Sequence, residues 1–316
     1  MGEIDRKIEP PYGVIWNRIK TGKVIPFLGA GASLVGRGPE EWNPRKPQFL
    51  PSGRELSRFL AKETSFPSRD PMDLDDLAKV ASYYAIMSGR RSLRERLHEV
   101  FNFEFDCGPL HQYLASIPVP LLIVSTNYDT FIEQAFLAAN KPYDLVIHPS
   151  ERKDIANAVW WWPHGATEPV VIPPNELHID LDKTTVIYKM HGTIQHQTDK
   201  WDSFVITEED YVDFVSRMTA NAAIPSLFYE YFRMRSFLFL GYSLRDWNLR
   251  VVLKNLDRYL VGNKRGTSED EDDEPLPSWS IQYEPSELER RLWEKRNVNI
   301  FDMNIDTFVA EMQQWL

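Results

Sequence analysis

Six short runs of β-branched and aromatic residues, each bounded by turn residues and set apart by longer segments, constrain most strongly what this chain can fold into. They are Val24–Leu28, Leu121–Val124, Val186–Lys189, Phe237–Leu240, Trp279–Gln282 and Val298–Phe301. Runs of that length and composition read as strands. The first four are almost continuously apolar, as strands are when helices cover both faces of a parallel sheet. Ser52-Gly-Arg-Glu55, Ser92-Leu-Arg-Glu95 and Thr130-Phe-Ile-Glu133 have the spacing at which a hydroxyl and a carboxylate satisfy each other's orphan amides. A helix start is expected at each.

Strands alternating with helices imply an α/β fold: a doubly wound, mainly parallel Rossmann-like sheet. With 316 residues, 43% of them hydrophobic, the chain can bury a full-sized core and is read as one domain over 1–316. Two segments break the rhythm. Residues from about 141 to 185 hold Trp160-Trp161-Trp162-Pro163-His164-Gly165 and are expected to form an irregular inserted cap or interface segment. Three successive tryptophans cannot all face one core, so some should meet another element or another chain. Residues from about 262 to 277 contain Ser268-Glu-Asp-Glu-Asp-Asp-Glu274 between glycines and prolines. Self-repulsion should keep that acidic loop extended and mobile.

A net charge of −10 repels polyanions at long range, so strong direct nucleic-acid binding is not expected. The one basic run, Arg90, Arg91, Arg94 and Arg96, reads as a solvated helix face. The first residues lack an apolar signal region, and no stretch approaches the roughly 18 apolar residues of a membrane helix. A cytoplasmic protein without membrane contact is the expectation. The single cysteine, Cys107, excludes an intrachain disulfide and a CxxC zinc ribbon, and reads as a small core residue.

The chemistry gathers where the apolar runs end. Val24–Leu28 leads into Gly29-Ala30-Gly31-Ala-Ser33, and a strand that enters Gly-x-Gly can bring amides close to a pyrophosphate. The third glycine of the dehydrogenase fingerprint is missing, since Leu34 stands there, and no acidic residue ends a second strand about 20 residues on; both count against hydride transfer. Leu121–Val124 leads into Ser125-Thr126-Asn127-Tyr128-Asp129, Val186–Lys189 into Met190-His191-Gly192, and Phe237–Leu240 into Gly241-Tyr242-Ser243. In an open parallel sheet such strand ends line the ligand crevice. Turn and cap roles are the structural alternative for Asn127 and Asp129.

These four motifs, in this order, resemble the landmarks of the sirtuin-type NAD-binding core, and the resemblance runs from about residue 20 to the end. It implies that Gly29, Ala30, Gly31 and Ser33 hold the pyrophosphate of NAD. Asn127 and Asp129 then hold the nicotinamide ribose and carboxamide, with Thr126 beside them in place of the family's glutamine. His191 acts on the ribose or the attacking water, and Gly241 and Ser243 support the phosphates and the adenosine ribose. A four-cysteine zinc module is impossible with one cysteine, and no strand for clamping an acyl-lysine peptide is evident. The pattern is more similar to the sirtuin-like NAD hydrolases of bacterial antiphage defence, particularly the stand-alone subunit paired with a HerA-type hexameric ATPase. That resemblance implies NAD as substrate, no metal, a homo-oligomer and a HerA-type partner. Because neutral nicotinamide leaves a charged pyridinium, the reaction passes through an oxocarbenium-like state and needs little acid help. The expected roles are Asn127 orienting water or ribose hydroxyls, Asp129 stabilising positive charge or fixing the carboxamide, and His191 accepting a proton. A protein deacylase and a non-catalytic NAD- or ADP-ribose-binding subunit are the alternatives.

Overall fold

The computed structural model describes residues 9–150, 158–195, 199–219, 223–242 and 276–316. Its strands, in chain order, are β1 (Val24–Leu28), β2 (Leu122–Ser125), β3 (Asp144–Ile147), β4 (Val159–Trp162), β5 (Val170–Ile172), β6 (Val186–Lys189), β7 (Gly192–Thr193), β8 (Ser203–Phe204), β9 (Ser236–Leu240), β10 (Ser278–Gln282) and β11 (Val298–Asp302). All six sequence-predicted runs are among them. Nine strands form one sheet in the order β11-β10-β9-β1-β2-β6-β3-β4-β5. Pairing is parallel from β11 to β3, and antiparallel from β3 to β4 and from β4 to β5.

Every residue of β1 is buried because the strand faces a core on both sides. Val24 and Leu28 join Ile123, Leu114, Phe136 and Leu238 on one face, while Ile25 and Phe27 join Val124, Tyr188, Phe228 and Phe239 on the other. Each such side chain contributes about 1.5–3 kcal/mol when fully withdrawn from water. A third cluster, including Leu56, Leu60, Val80, Leu97 and Phe131, packs the helices of residues 53–101 together. From β1 the chain passes to β2 on one side and returns much later to β9 on the other. That reversal opens a crevice at the carboxyl ends of the strands, which is where open α/β sheets bind ligands.

The segment at 141–185 departs from expectation, because it supplies β3, β4 and β5 to the sheet instead of standing apart as an irregular insertion. Strand alternation divides its tryptophans. Trp160 and Trp162 share one side of β4 with Trp201, at ring separations of 5.2 and 5.6 Å from it, and Trp161 donates its indole N–H to Asp144 Oδ2 at 2.9 Å.

Local capping signals fared unevenly. Ser52 and Glu55 form the expected reciprocal box on helix Gly53–Glu63. Ser92 lies inside helix Arg90–Phe101, which begins after Gly89, and Thr130 makes no side-chain cap on helix Phe131–Ala138. An unforeseen box joins Ser286 and Glu289. The basic run is tied down within the chain: Arg90 pairs with Asp210, Arg91 with Glu95 and Arg96 with Glu63, while Arg94 donates to the Asp199 carbonyl. Cys107 is half-buried against the core. Among the described residues no helix is long and apolar enough to cross a membrane. Ser243, and the acidic segment at 262–277 apart from its last two residues, lie outside the described residues.

Candidate active site

Parallel register brings the strand-end motifs side by side: Leu28 is paired with both Ser125 and Leu240, and Ser125 with Lys189. Beyond those ends lies a cleft of about 600 Å³ whose walls include Ala30, Gly31, Ser33, Thr126, Asn127, Asp129, His191 and Gly241. A second cleft of about 610 Å³ opens toward the ends of β10 and β11, between Leu34, Gln282, Glu284, Asn304 and Asp306. The two share Gly31, Gly241 and Tyr242 as a common wall.

Gly29 lines neither cleft; it is buried and its amide donates to the Leu240 carbonyl at 2.9 Å. The Gly31 amide likewise donates to the Gly241 carbonyl at 2.9 Å and the Ala32 amide to the Gly29 carbonyl at 2.8 Å. Two amides that the motif suggests for a phosphate are therefore spent on fastening the two glycine turns together, and a third closes the first turn on itself. Gly241 has φ +78°, and a Cβ there would stand 2.1 Å from the Ala32 nitrogen, so the contact requires glycine. Tyr242 covers this junction, its hydroxyl 2.7 Å from Thr126 Oγ1 and donating to the Leu28 carbonyl at 3.1 Å.

A directed chain of hydrogen bonds joins three of the expected residues. The carboxylate of Asp129 only accepts, taking the Phe131 amide on Oδ1 at 3.1 Å and the Ser33 hydroxyl on Oδ2 at 2.6 Å. With its one proton committed, Ser33 Oγ can only accept from Asn127 Nδ2, at 2.7 Å. The second Nδ2 hydrogen goes to the Gly29 carbonyl at 2.9 Å, an obligate acceptor that settles which way round the amide lies. Asn127 thus offers its carbonyl oxygen, not its NH2, to the cleft. The Gly29 carbonyl and the Asp129-held Ser33 set that polarity together, and the Ser33 hydroxyl has no hydrogen left to donate to a phosphate.

His191 follows β6 and stands edge-on to Tyr211 and Phe214 of helix Glu208–Thr219, at 5.5 and 5.2 Å. Burial holds its pKa down to about 3, and its Nε2 is buried with no hydrogen-bond partner. The ring is therefore neutral, with one nitrogen carrying a hydrogen and the other an acceptor. Gly192 lets the chain turn directly after it: with φ +89° and a would-be Cβ 2.0 Å from the Ser203 carbonyl oxygen, no other residue fits against β8.

Sequence reasoning missed several neighbours of the site. His148 directly follows β3 and is buried against the same Phe214 at 5.2 Å, its pKa lowered to about 3 by burial and then by Arg217 and His191. Its signal was hidden behind a strand of only four residues. Tyr211 and Phe214 sit in a helix with no motif of its own, whereas Tyr242 lay in plain view after Gly241. Among the described residues no group of three or more His, Cys, Asp or Glu side chains is placed to hold a metal ion.

Comparison with known proteins bears on this geometry. A family described as SIR2-like domain matches residues 121–301. The chain is 30% identical over 254 residues to the NAD(+) hydrolase ThsA of Enterococcus faecium, an alignment covering 78% of this chain and 42% of that protein. It is 27% identical over 247 residues to the NAD(+) hydrolase ThsA of Acinetobacter baumannii, covering 76% and 40%. It is 20% identical over 234 residues to the Defense-associated sirtuin 2 of Bacillus subtilis, covering 74% and 19%. The chain spans about two fifths of the length of these hydrolase relatives and about a fifth of the third.

Proposed function

We propose, from the premise that this chain belongs to the SIR2-like domain family, that it hydrolyses NAD to nicotinamide and ADP-ribose. The observation that carries the reading is the cleft itself, where Asn127 turns an acceptor oxygen inward and His191 stands neutral with an unpartnered Nε2. The names of the relatives supply the class of reaction.

The nicotinamide–ribose bond breaks with its electron pair passing to the pyridinium nitrogen, which becomes neutral. Water adds to the ribose carbon and gives up a proton. The protein's part is position and electrostatics in a closed site. Asn127 Oδ1 accepts from the attacking water or a ribose hydroxyl and holds it in place. His191 accepts a second hydrogen bond. A ring whose pKa lies near 3 is a weak terminal base, so it orients the nucleophile, and the proton released by the attacking water ends on solvent water. Both oxygens of Asp129 hold hydrogen bonds from Ser33 and Phe131, and through Ser33 it helps the Gly29 carbonyl fix Asn127's direction. The second cleft, past the Tyr242 wall, is the place for the adenosine half of the dinucleotide.

The decisive experiment incubates the purified protein with NAD, alone and with the product of a neighbouring gene and DNA, and follows nicotinamide release. Release that depends on an acyl-lysine peptide would make the protein a deacylase, and binding without release under any condition would make it a regulatory subunit.

The wider setting belongs to the same proposal: a homo-oligomer, paired with a HerA-type ATPase, that depletes NAD in antiphage defence within the cytoplasm. A relative's name, Defense-associated sirtuin 2, supports the defence part. Support for self-association rests on the outer strand β5, which exposes Val170 and Val171, because the three tryptophans have partners inside the chain. Light scattering that returns a mass near the 36.9 kDa monomer at micromolar concentration would remove the oligomer.

A further inference from the structure

Beneath the Asn127–Asp129 turn lies a set of titratable side chains that line neither cleft. Lys189 at the end of β6, Glu133 on helix Phe131–Ala138 and His111 on helix Pro109–Ser116 are all buried, at 0, 5 and 2% exposure. The Lys189 ammonium lies 3.5 Å from Glu133 Oε1 and donates a hydrogen bond to the main-chain carbonyl of Asp129. Burial raises the Glu133 pKa, and Lys189 offsets only part of that rise. His111 is held neutral by burial, its pKa lowered to about 4.

A buried ion pair is an expensive way to hold a fold together, since well-packed apolar residues of similar volume are often as stable or more so. Its placement suggests another task. Asp129 is gripped from three elements: Lys189 holds its carbonyl, the Phe131 amide its Oδ1 and the Ser33 hydroxyl its Oδ2. The Phe131 bond is local to the turn and the Ile194 amide holds the Tyr128 carbonyl beside it, while the reach of Asp129 to Ser33 depends on where the Asp129 main chain is fixed, and Lys189 is the side chain that holds it there. If the turn drifts, Ser33 is free to rotate and Asn127 keeps only the Gly29 carbonyl to hold its amide, so Oδ1 loses its fixed position in the cleft.

We infer that Lys189, balanced by Glu133, is a positioning residue for hydrolysis: it anchors the Asp129 main chain so that the Asp129–Ser33–Asn127 relay keeps Asn127 Oδ1 turned into the cleft. The inference rests on the hydrolase reading above. It separates the pair's contribution to the reaction from its contribution to the fold.

The test compares K189M with the double variant K189M/E133L. K189M strands the Glu133 carboxylate in the core and should lower the melting temperature. The double variant removes both charges and should recover a melting temperature within a few degrees of wild type. Turnover should not recover with it: kcat is expected to fall at least about tenfold while KM for NAD stays within about threefold, the mark of an interaction that matters in the transition state. Hydrogen exchange of the amides at 127–131 should be at least about tenfold faster in the double variant. A double variant that folds and keeps kcat within about twofold of wild type overturns the inference, and so does one that fails to fold, because the pair is then a support of the fold. If wild type releases no nicotinamide, the hydrolase reading fails first. Exchange then still decides the anchoring, and wild-type rates in the double variant would refute it.

Discussion

On one side of the wall made by Gly31, Gly241 and Tyr242, polar groups are withdrawn from water and bonded to one another: Asn127 and Asp129 are buried, and Ser33 links them. On the other side Tyr283, Glu284 and Asn304 stand exposed on the loops that follow β10 and β11, with Asp306 exposed in the first turn of helix Ile305–Gln313. The two clefts have nearly the same volume. What separates them is preorganisation. A wired, buried site has its dipoles in place before the substrate arrives, which is worth most where charge develops. An open site adapts around its ligand and contributes binding that is felt equally in the ground and transition states.

The sharpest break in this contrast would come from the wired side. H191A and N127A should each lower kcat by about 10²–10⁴-fold with the fold retained. Steady-state nicotinamide release checks it, and either variant keeping more than about a tenth of wild-type turnover would remove its residue from the reaction. The wall comes next. G241A forces a side chain onto a φ of +78° and a Cβ to within 2.1 Å of the Ala32 nitrogen. Backbone strain of that kind costs about 1–3 kcal/mol before the clash is counted. Urea unfolding should show a loss of that size or more, and an unchanged midpoint would mean that the two glycine turns do not depend on each other.

Acid should undo the wired side through its histidines. His191 and His148 have pKa values near 3 and His111 near 4 in the fold, each lowered from 6.5 chiefly by burial. Below pH 6.5 the unfolded chain takes up protons that the folded chain refuses. Their contribution is therefore complete above 6.5 and is lost as pH falls from 6.5 toward 3. Each histidine adds a slope of up to about 1.4 kcal/mol per pH unit. Glu133, raised by burial, works in the opposite sense and offsets part of it. Equal unfolding midpoints at pH 7.5 and pH 5 would contradict this account. The smallest effects belong to the open side: E284Q and D306N should raise KM for NAD by no more than about fivefold, under about 1 kcal/mol, and leave kcat alone. A tenfold drop in kcat from either would erase the distinction between the clefts.

The sequence by itself determined the frame. Strands buried on both faces must be apolar almost throughout, so the first four runs announced themselves, and their polar ends had to share one edge once the sheet was parallel. Asn127, Asp129 and His191 were legible for that reason. Tertiary structure decided the rest, because the deciding partners are distant in the chain. β3 and β4 hold their places by pairing with β6 and with each other, so short runs that looked irregular became sheet. Thr130 and Glu133 have the spacing of a cap, yet Asp129 takes the helix amide and Glu133 turns inward to a lysine 56 positions on. Ser33 and Asp129 are 96 residues apart, and only their meeting fixes the direction in which protons are donated. Periodicity is a property of neighbouring residues and can be read along the chain. The polarity of a hydrogen-bond network depends on which acceptor each donor meets in space, and that is written only in the folded protein.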